Sequence, residues 1–177
     1  MKEPEAALVR AATDGDIAAF ERLMRHFQAH VWRFLCHFLG DHALAEDVTQ
    51  ETFVRVYRRL PTYEARAKFS TWVFQIARNA GVDALRSRAR RDRLVAAVPP
   101  PPTSTPAPSG ATEVAHAVAS LRPKPREALL LVEVYGLTYV EAAEVLGVPA
   151  GTVKSRVHQA RRELTAWLAP EETTSDL

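Results

Sequence analysis

Residues 98–112 constrain the fold more than any other part of this chain. They hold Pro99, Pro100, Pro101, Pro102, Pro106 and Pro108, half of its twelve prolines, with Ser, Thr and Gly among them and no charged residue. Proline fixes φ and lacks an amide donor, so such a run continues neither a helix nor a sheet ladder and favours extended, semi-rigid geometry. It reads as a tether over residues 96–112 between two separately folded lobes, 1–95 and 113–170, with an acidic tail at 171–177. A proline-rich partner-docking motif is the alternative use of the same composition. At 177 residues and 47% hydrophobic content, the chain has enough apolar surface for a core on each side.

In the first lobe the apolar spacing is helical throughout. A short helix over about 5–13 ends at Asp14-Gly15-Asp16, where Asp16 can cap the next helix. Phe20, Leu23, Phe27, Val31, Phe34 and Phe38 then step by three and four, one long amphipathic helix closed by Gly40. A third helix, about 43–60, is stopped by Pro61. It turns Val48, Thr52, Val56 and Leu60 inward and leaves Asp47, Gln50, Glu51 and Arg55 outside. A fourth starts near Ser70, carries Trp72, Ile76, Ala80 and Ala84 on one side, and ends in Arg86, Arg88, Arg90, Arg91 and Arg93. No segment alternates as a strand does, so the expected fold is all-α.

The second lobe carries a helix, a tight turn and a second helix. Thr138 and Glu141 have the T-x-x-E spacing of a capping box, Val140, Ala143 and Leu146 fall on one side, Gly147 ends the helix, and Pro149 suits the start of the next. Val153, Val157, Ala160, Leu164 and Leu168 form the expected buried stripe of the second helix. Thr152, Lys154, Ser155, Arg156, His158, Gln159, Arg161 and Arg162 then face out, with four cations and no carboxylate. That composition suits phosphates and base edges in a major groove, although a plain helical hairpin with a solvated basic face has the same pattern.

The formal charge of +2 conceals a strong asymmetry. Residues 1–54 hold five Lys and Arg against nine Asp and Glu, whereas residues 55–93 hold eleven against three. An acidic section followed by a basic one implies two different partners, since only the basic face attracts polyanions. Cys36, the only cysteine, excludes an internal disulfide and reads as a core thiol, with a redox sensor as the alternative. His26 and His30 stand four apart on a helix, but no third ligand accompanies them, so a solvated face is expected and no metal. The first residues lack the apolar run of a signal peptide and no stretch is long enough to span a bilayer, which predicts a cytoplasmic protein without membrane insertion. No phosphate-cradling glycine loop or nucleophile elbow is present.

Ala45-Glu46-Asp47-Val48-Thr49-Gln50-Glu51-Thr52-Phe53 and Phe69-Ser70-Thr71-Trp72-Val73-Phe74-Gln75-Ile76-Ala77-Arg78-Asn79 together resemble region 2 of the extracytoplasmic-function (ECF) group of bacterial RNA polymerase sigma factors. The helix-turn-helix with Gly151-Thr152-Val153-Lys154-Ser155-Arg156 resembles their region 4. The resemblance covers about residues 5–95 and 112–168. It implies a non-enzymatic initiation factor without cofactors that binds core RNA polymerase and promoter DNA and is held by an anti-sigma factor. By the same resemblance Asp47, Gln50 and Glu51 dock on the polymerase clamp helices. Tyr63, Arg66, Lys68, Phe69, Trp72, Arg78, Asn79 and Arg86 hold the melted minus-10 element, with Asn79 at the pocket for an unstacked base. Thr152, Lys154, Ser155, Arg156, His158, Gln159, Arg161 and Arg162 read the minus-35 element.

Tyr63, Phe69 and Trp72 are candidate stacking platforms, and Trp72 can equally be core; Asn79 can equally be a helix-surface amide. The loop Tyr63-Glu64-Ala65-Arg66-Ala67-Lys68 lacks the glycine often found there in the family. The uncharged 98–112 segment stands where primary sigma factors carry region 3. Two rival functions compete with this reading. A stand-alone helix-turn-helix regulator would bind an operator unaided, and a nucleic-acid enzyme would need clustered carboxylates or metal ligands, for which Asp83 and Asp92 are too isolated.

Overall fold

The computed structural model describes residues 1–95 and 113–168; the expected linker at 96–112 and the tail at 171–177 lie outside the described residues. Among the described residues every regular element is helical. The first lobe comprises α1 (Ala6–Thr13), α2 (Ile17–Leu39), α3 (His42–Arg59), a 3₁₀ turn (Leu60–Thr62) and α4 (Phe69–Val95). The second comprises α5 (Glu113–Ser120), α6 (Pro123–Leu129) running into a π turn (Leu130–Val134), α7 (Tyr139–Leu146) and α8 (Ala150–Leu168).

Helix ends fall where local chemistry puts them. Asp16 accepts a bond from the Ala19 amide at 3.1 Å and Asp41 one from the Leu44 amide at 3.0 Å, each satisfying an orphan donor of a first turn. Gly40 closes α2 with φ 66°, in the left-handed region that glycine adopts without penalty. The first-lobe core is the meeting of α2, α3 and α4. Phe27, Val31 and Phe34 pack there with Val48, Val56, Val73, Phe74 and Ala77, all buried. Full burial stabilises each such large side chain by about 1.5–3 kcal/mol. Thr49 and Thr52 enter this core because their hydroxyls donate to the Ala45 and Val48 carbonyls of the preceding turn.

In the second lobe the capping box forms as expected. Thr138 Oγ1 accepts from the Glu141 amide, and the Glu141 carboxylate accepts from the Thr138 amide at 2.7 Å. Two expectations are corrected. The inner side of α7 is Ala142, Val145 and Leu146, while Val140 is 61% exposed and Ala143 only half-buried. This two-turn helix touches both α8 and α4, so its buried side is turned toward two neighbours at once. Leu168 is also exposed, although Val153, Val157 and Ala160 are buried, because the last turn of α8 extends past the helices that cover its stripe.

The lobes are packed against each other through Tyr135, which follows the π turn. Its amide bonds to the Leu130 carbonyl five residues back, and this wide turn carries the ring away from its own lobe. The ring lies 4.8 Å from Phe74 and 6.2 Å from Phe34, with His30 edge-on at 6.2 Å.

Cys36 is half-buried with Sγ 3.6 Å from His42 Nδ1, and burial pushes its thiol up to about 11. Thiolate is the reactive form, so this favours an inert thiol over a redox sensor. His26 Nε2 bonds to the Lys2 carbonyl at 2.8 Å, and among the described residues no group of three metal-capable side chains occurs.

Gly81 marks where α4 comes closest to α2. A Cβ there would stand 2.6 Å from Phe38 Cε1 and 3.3 Å from Leu35 Cδ2. Phe38 is stacked on Phe34 with ring centroids 6.0 Å apart, so moving it aside would give up that contact. Helix propensity favours alanine by about 1 kcal/mol, but overpacking costs about 1–3 kcal/mol. Gly81→Ala is therefore expected to destabilise the chain by about 1 kcal/mol in urea unfolding. The sign should reverse in a Phe38→Ala background, where the obstructing ring is gone.

Candidate nucleic-acid and polymerase-docking surfaces

The acidic side of the first lobe is built on α3. Asp47, Gln50 and Glu51 are all exposed, as the helical spacing predicts, because Val48, Thr52 and Val56 hold the opposite side in the core. Glu51 is not a free carboxylate: Arg55 Nε donates to it at 2.8 Å, and Nη1 of the same arginine donates to Asp83 of α4 at 2.8 Å. Gln50 lies between two hollows that run along the junction of α2 and α3. One, about 370 Å³, is lined by Phe20, Met24, Phe53, Val54 and Tyr57; the other, about 490 Å³, by Arg25, Trp32 and Glu46. Val54, Tyr57 and Trp32 are exposed apolar side chains beside the acidic patch, so the face offers an apolar groove with a polar rim.

The second surface is the outer side of α4 and the loop before it. Lys68, Trp72, Gln75, Asn79 and Arg86 recur at helical spacing and share one stripe. Glu3 accepts from the Ser70 amide at 3.1 Å, a bond to an orphan donor of the α4 first turn from the far end of the sequence. Asn79 and Arg86 are exposed. Arg66 is exposed too and pairs with Glu64 at 2.6 Å. Lys68 pairs with Glu141 of α7 at 2.9 Å, and that bond raises the lysine above its ordinary range. Against the upward push of its own burial, bonds from Thr138 and Lys68 hold the Glu141 carboxyl below the usual carboxylate range.

The three aromatic candidates do come together, with Tyr63 5.3 Å from Phe69 and 5.0 Å from Trp72. They differ in access. Phe69 is only 3% exposed, so it is a core ring and not a stacking platform, because the first turn of α4 rotates it onto Phe27 at 5.6 Å. Trp72 and Tyr63 are half-buried, and the Tyr63 hydroxyl donates to the Ala67 carbonyl at 2.7 Å, closing the loop on itself. Ala65 has φ 54°, so this alanine adopts the left-handed backbone that a glycine would take without strain. Beside the loop, Glu3, Arg10, Tyr63, Arg66 and Lys68 line an open hollow of about 670 Å³.

The third surface is the recognition side of α8. Lys154, Ser155, His158, Arg161 and Arg162 are exposed, while Thr152, Arg156 and Gln159 are partly covered. The expectation of a face without carboxylates is corrected by one residue from another element, Glu133, and by Glu163 of α8 itself. Glu133 of the π turn forms an ion pair with Arg161, and Glu163 accepts from Gln159 at 2.9 Å and from Arg122 at 2.6 Å. Glu127 of α6 is 8% exposed. Burial raises its carboxyl, opposed first by Arg78 of α4 and then by Arg156 of α8. Arg78 itself is half-buried, and its Nε finds no protein acceptor. Glu3, Glu127, Glu133 and Tyr135 thus bear on these surfaces without having been legible. All four act across elements, and only a capping residue or a helical stripe leaves a local signal.

Comparison with known proteins agrees with this arrangement. The family model "Sigma-70 region 2" matches residues 23–91, and "Sigma-70, region 4" matches residues 111–164. The ECF RNA polymerase sigma factor SigC of Mycobacterium tuberculosis is 36% identical over 177 residues, covering 97% of this chain and 95% of the relative. Two solved structures are similar in fold. The sigma factor RpoE of Bartonella quintana, in complex with the anti-sigma factor NepR, has a TM-score of 0.74 at 26% identity over 88% of this chain and 99% of that one. CnrH, in complex with the cytosolic domain of CnrY, has a TM-score of 0.67 at 28% identity over 92% and 95%. With region 2 and region 4 in this order on two helical lobes, and with that identity sustained over nearly the whole chain, the protein belongs to the ECF group of RNA polymerase sigma factors.

Proposed function

We propose that this alternative sigma factor divides its work among the three surfaces: α3 docks on core RNA polymerase, the outer stripe of α4 holds the melted minus-10 element, and α8 reads the minus-35 element in duplex. The observation that carries the reading is the segregation of charge. An acidic and amidic face beside an apolar groove lies on α3, and the two basic faces lie on α4 and α8. Nucleic acid is repelled by the first and attracted by the other two. Asp47, Gln50 and Glu51 make the polymerase contact, with Val54 and Tyr57 supplying apolar area. Arg66, Lys68, Trp72, Arg78, Asn79 and Arg86 serve the downstream element, with Tyr63 shaping the loop.

A stand-alone regulator would need only the α8 surface, and leaves the groove on α3 and the basic α4 without a purpose. No helix of the described residues is long and apolar enough to cross a membrane. Solved relatives bound to anti-sigma proteins support an inhibitor of the same kind here. The protein acts by positioning and binding, not as an enzyme; Asp83, its most central α4 carboxylate, is already tied to Arg55.

The test of the polymerase surface is a competition for core polymerase followed by run-off transcription. Replacing Gln50 by Ala and Glu51 by Lys should weaken holoenzyme assembly by about tenfold with helix content unchanged, since both side chains lie outside the core. Assembly equal to the parent chain would remove α3 from the interface.

On α8, Arg156 is partly covered and its charge acts on the buried Glu127, and an arginine at the edge of the recognition face is suited to a base edge. Arg156→Ala is expected to cost about 1–3 kcal/mol and to relax preference at one upstream position in a selection on randomised DNA. A uniform loss over all sequences would make it a phosphate contact.

A further inference from the structure

Glu163 is the only carboxylate of α8, and it stands one turn beyond Gln159 on the same helix. A single oxygen of it, Oε1, accepts from three donors: Gln159 Nε2 at 2.9 Å, Arg122 Nη2 at 2.6 Å and Arg122 Nε at 3.1 Å. Arg122 comes from another element, as the residue just ahead of α6. Arg122 and Gln159 form a ridge between two hollows. One, about 560 Å³, is shared with Ser155, His158 and Arg162, and the other, about 400 Å³, with Lys124 and Arg156. The held amide therefore lies among the side chains of the recognition side.

We propose that Glu163 is a specificity-positioning residue: it fixes the Gln159 amide with the nitrogen toward the carboxylate and the carbonyl left for the groove, so that Gln159 selects a base with an exocyclic amine. The inference rests on the reading of α8 as the helix that meets the minus-35 element in its major groove. A carboxylate only accepts, so an amide that faces it must present its NH₂ side. The carbonyl, on the other side of the same carbon, is then the group offered to an incoming donor. In the major groove those donors are the N6 amine of adenine and the N4 amine of cytosine, whereas guanine and thymine present O6 and O4. An amide free to flip would satisfy either class and discriminate poorly. The second hydrogen of the Gln159 nitrogen still serves adenine N7, which puts adenine ahead of cytosine. Every base pair carries its major-groove amine on one strand only, so the fixed amide reads which way round the pair lies. Arg122 completes the device. An unpaired carboxylate on this side would repel the phosphates, and two charge-assisted bonds from Arg122 offset that charge where it stands.

The test is a selection by holoenzyme, formed from the full chain and core RNA polymerase, on duplex randomised over the upstream element. The position read by Gln159 is the one whose preference disappears in Gln159→Ala. There the parent chain should select adenine or cytosine on one strand, and Glu163→Ala should lower that preference about fivefold while preferences at other upstream positions stay in place. Glu163→Gln keeps a carbonyl acceptor, held by Arg122, and should retain the preference. Selection of guanine or thymine at that position, no position that depends on Gln159, full selectivity in Glu163→Ala, or an equal loss over all sequences in that variant would each overturn the proposal. Failure of the underlying reading has a different signature, since the parent holoenzyme itself would then show no upstream preference at all.

Discussion

One helix must bury a face in a core and leave a polar, partly basic stripe on the opposite face, and the rest of this structure is arranged around that double demand on α4. Its inner side, Val73, Phe74, Ile76, Ala77 and Ala80, is buried, with Phe74 also meeting Tyr135 of the second lobe. Apolar burial there fixes the rotation of the helix about its axis. The outward stripe of Lys68, Trp72, Gln75, Asn79 and Arg86 is a consequence, since a helix whose inner side is set has no choice about its outer one. The two ends of the helix are secured separately. Glu3 bonds to the Ser70 amide at one end, and Arg88 near the other pairs at 3.0 Å with Asp41, which also caps α3. Gly81 lets α4 approach α2 closely enough for the rings of Phe34, Phe38 and Phe74 to pack.

The second lobe exploits the same helix. A π turn widens the chain after α6 by one residue, and this rotation presents Tyr135 to the first lobe instead of to its own core. Aromatic pairs at 4.8 and 6.2 Å supply apolar contact with directional preference. The polar contacts around them, Lys68 with Glu141 and Gln75 with Glu144, are partly exposed and individually weak. Such a boundary is strong enough for a tethered lobe and weak enough to open reversibly.

How much was readable in the chain depends on the range of each interaction. Helices α2, α3, α7 and α8, the caps at Asp16 and Thr138 and the closing Gly40 and Gly147 are local features, and the residues within a few positions of each carry the signal. The charge asymmetry that separates α3 from α4 was equally legible. What was not legible depends on partners far along the chain. Val140 was expected inside α7 because periodicity gives the width of an apolar face but not which neighbour it meets. Phe69 looked like an exposed ring because its burial depends on Phe27, forty-two residues earlier. The pairing of Arg161 with Glu133 and the approach of Glu127 to both Arg78 and Arg156 required the fold itself. Ala65 is an intermediate case: the missing glycine was visible, but only the structure shows the alanine taking a left-handed conformation.

The central claim is that the lobes of the free chain occupy one closed arrangement, set by Tyr135 on α2 and α4. Spin labels on cysteines replacing the exposed Arg58 of α3 and Lys154 of α8, in a Cys36→Ser chain, report on it directly by pulsed dipolar spectroscopy. A single narrow distance distribution in the free protein, moving to longer distances when core polymerase is added, is the result this account requires. A broad distribution in the free protein, unchanged by polymerase, would contradict it.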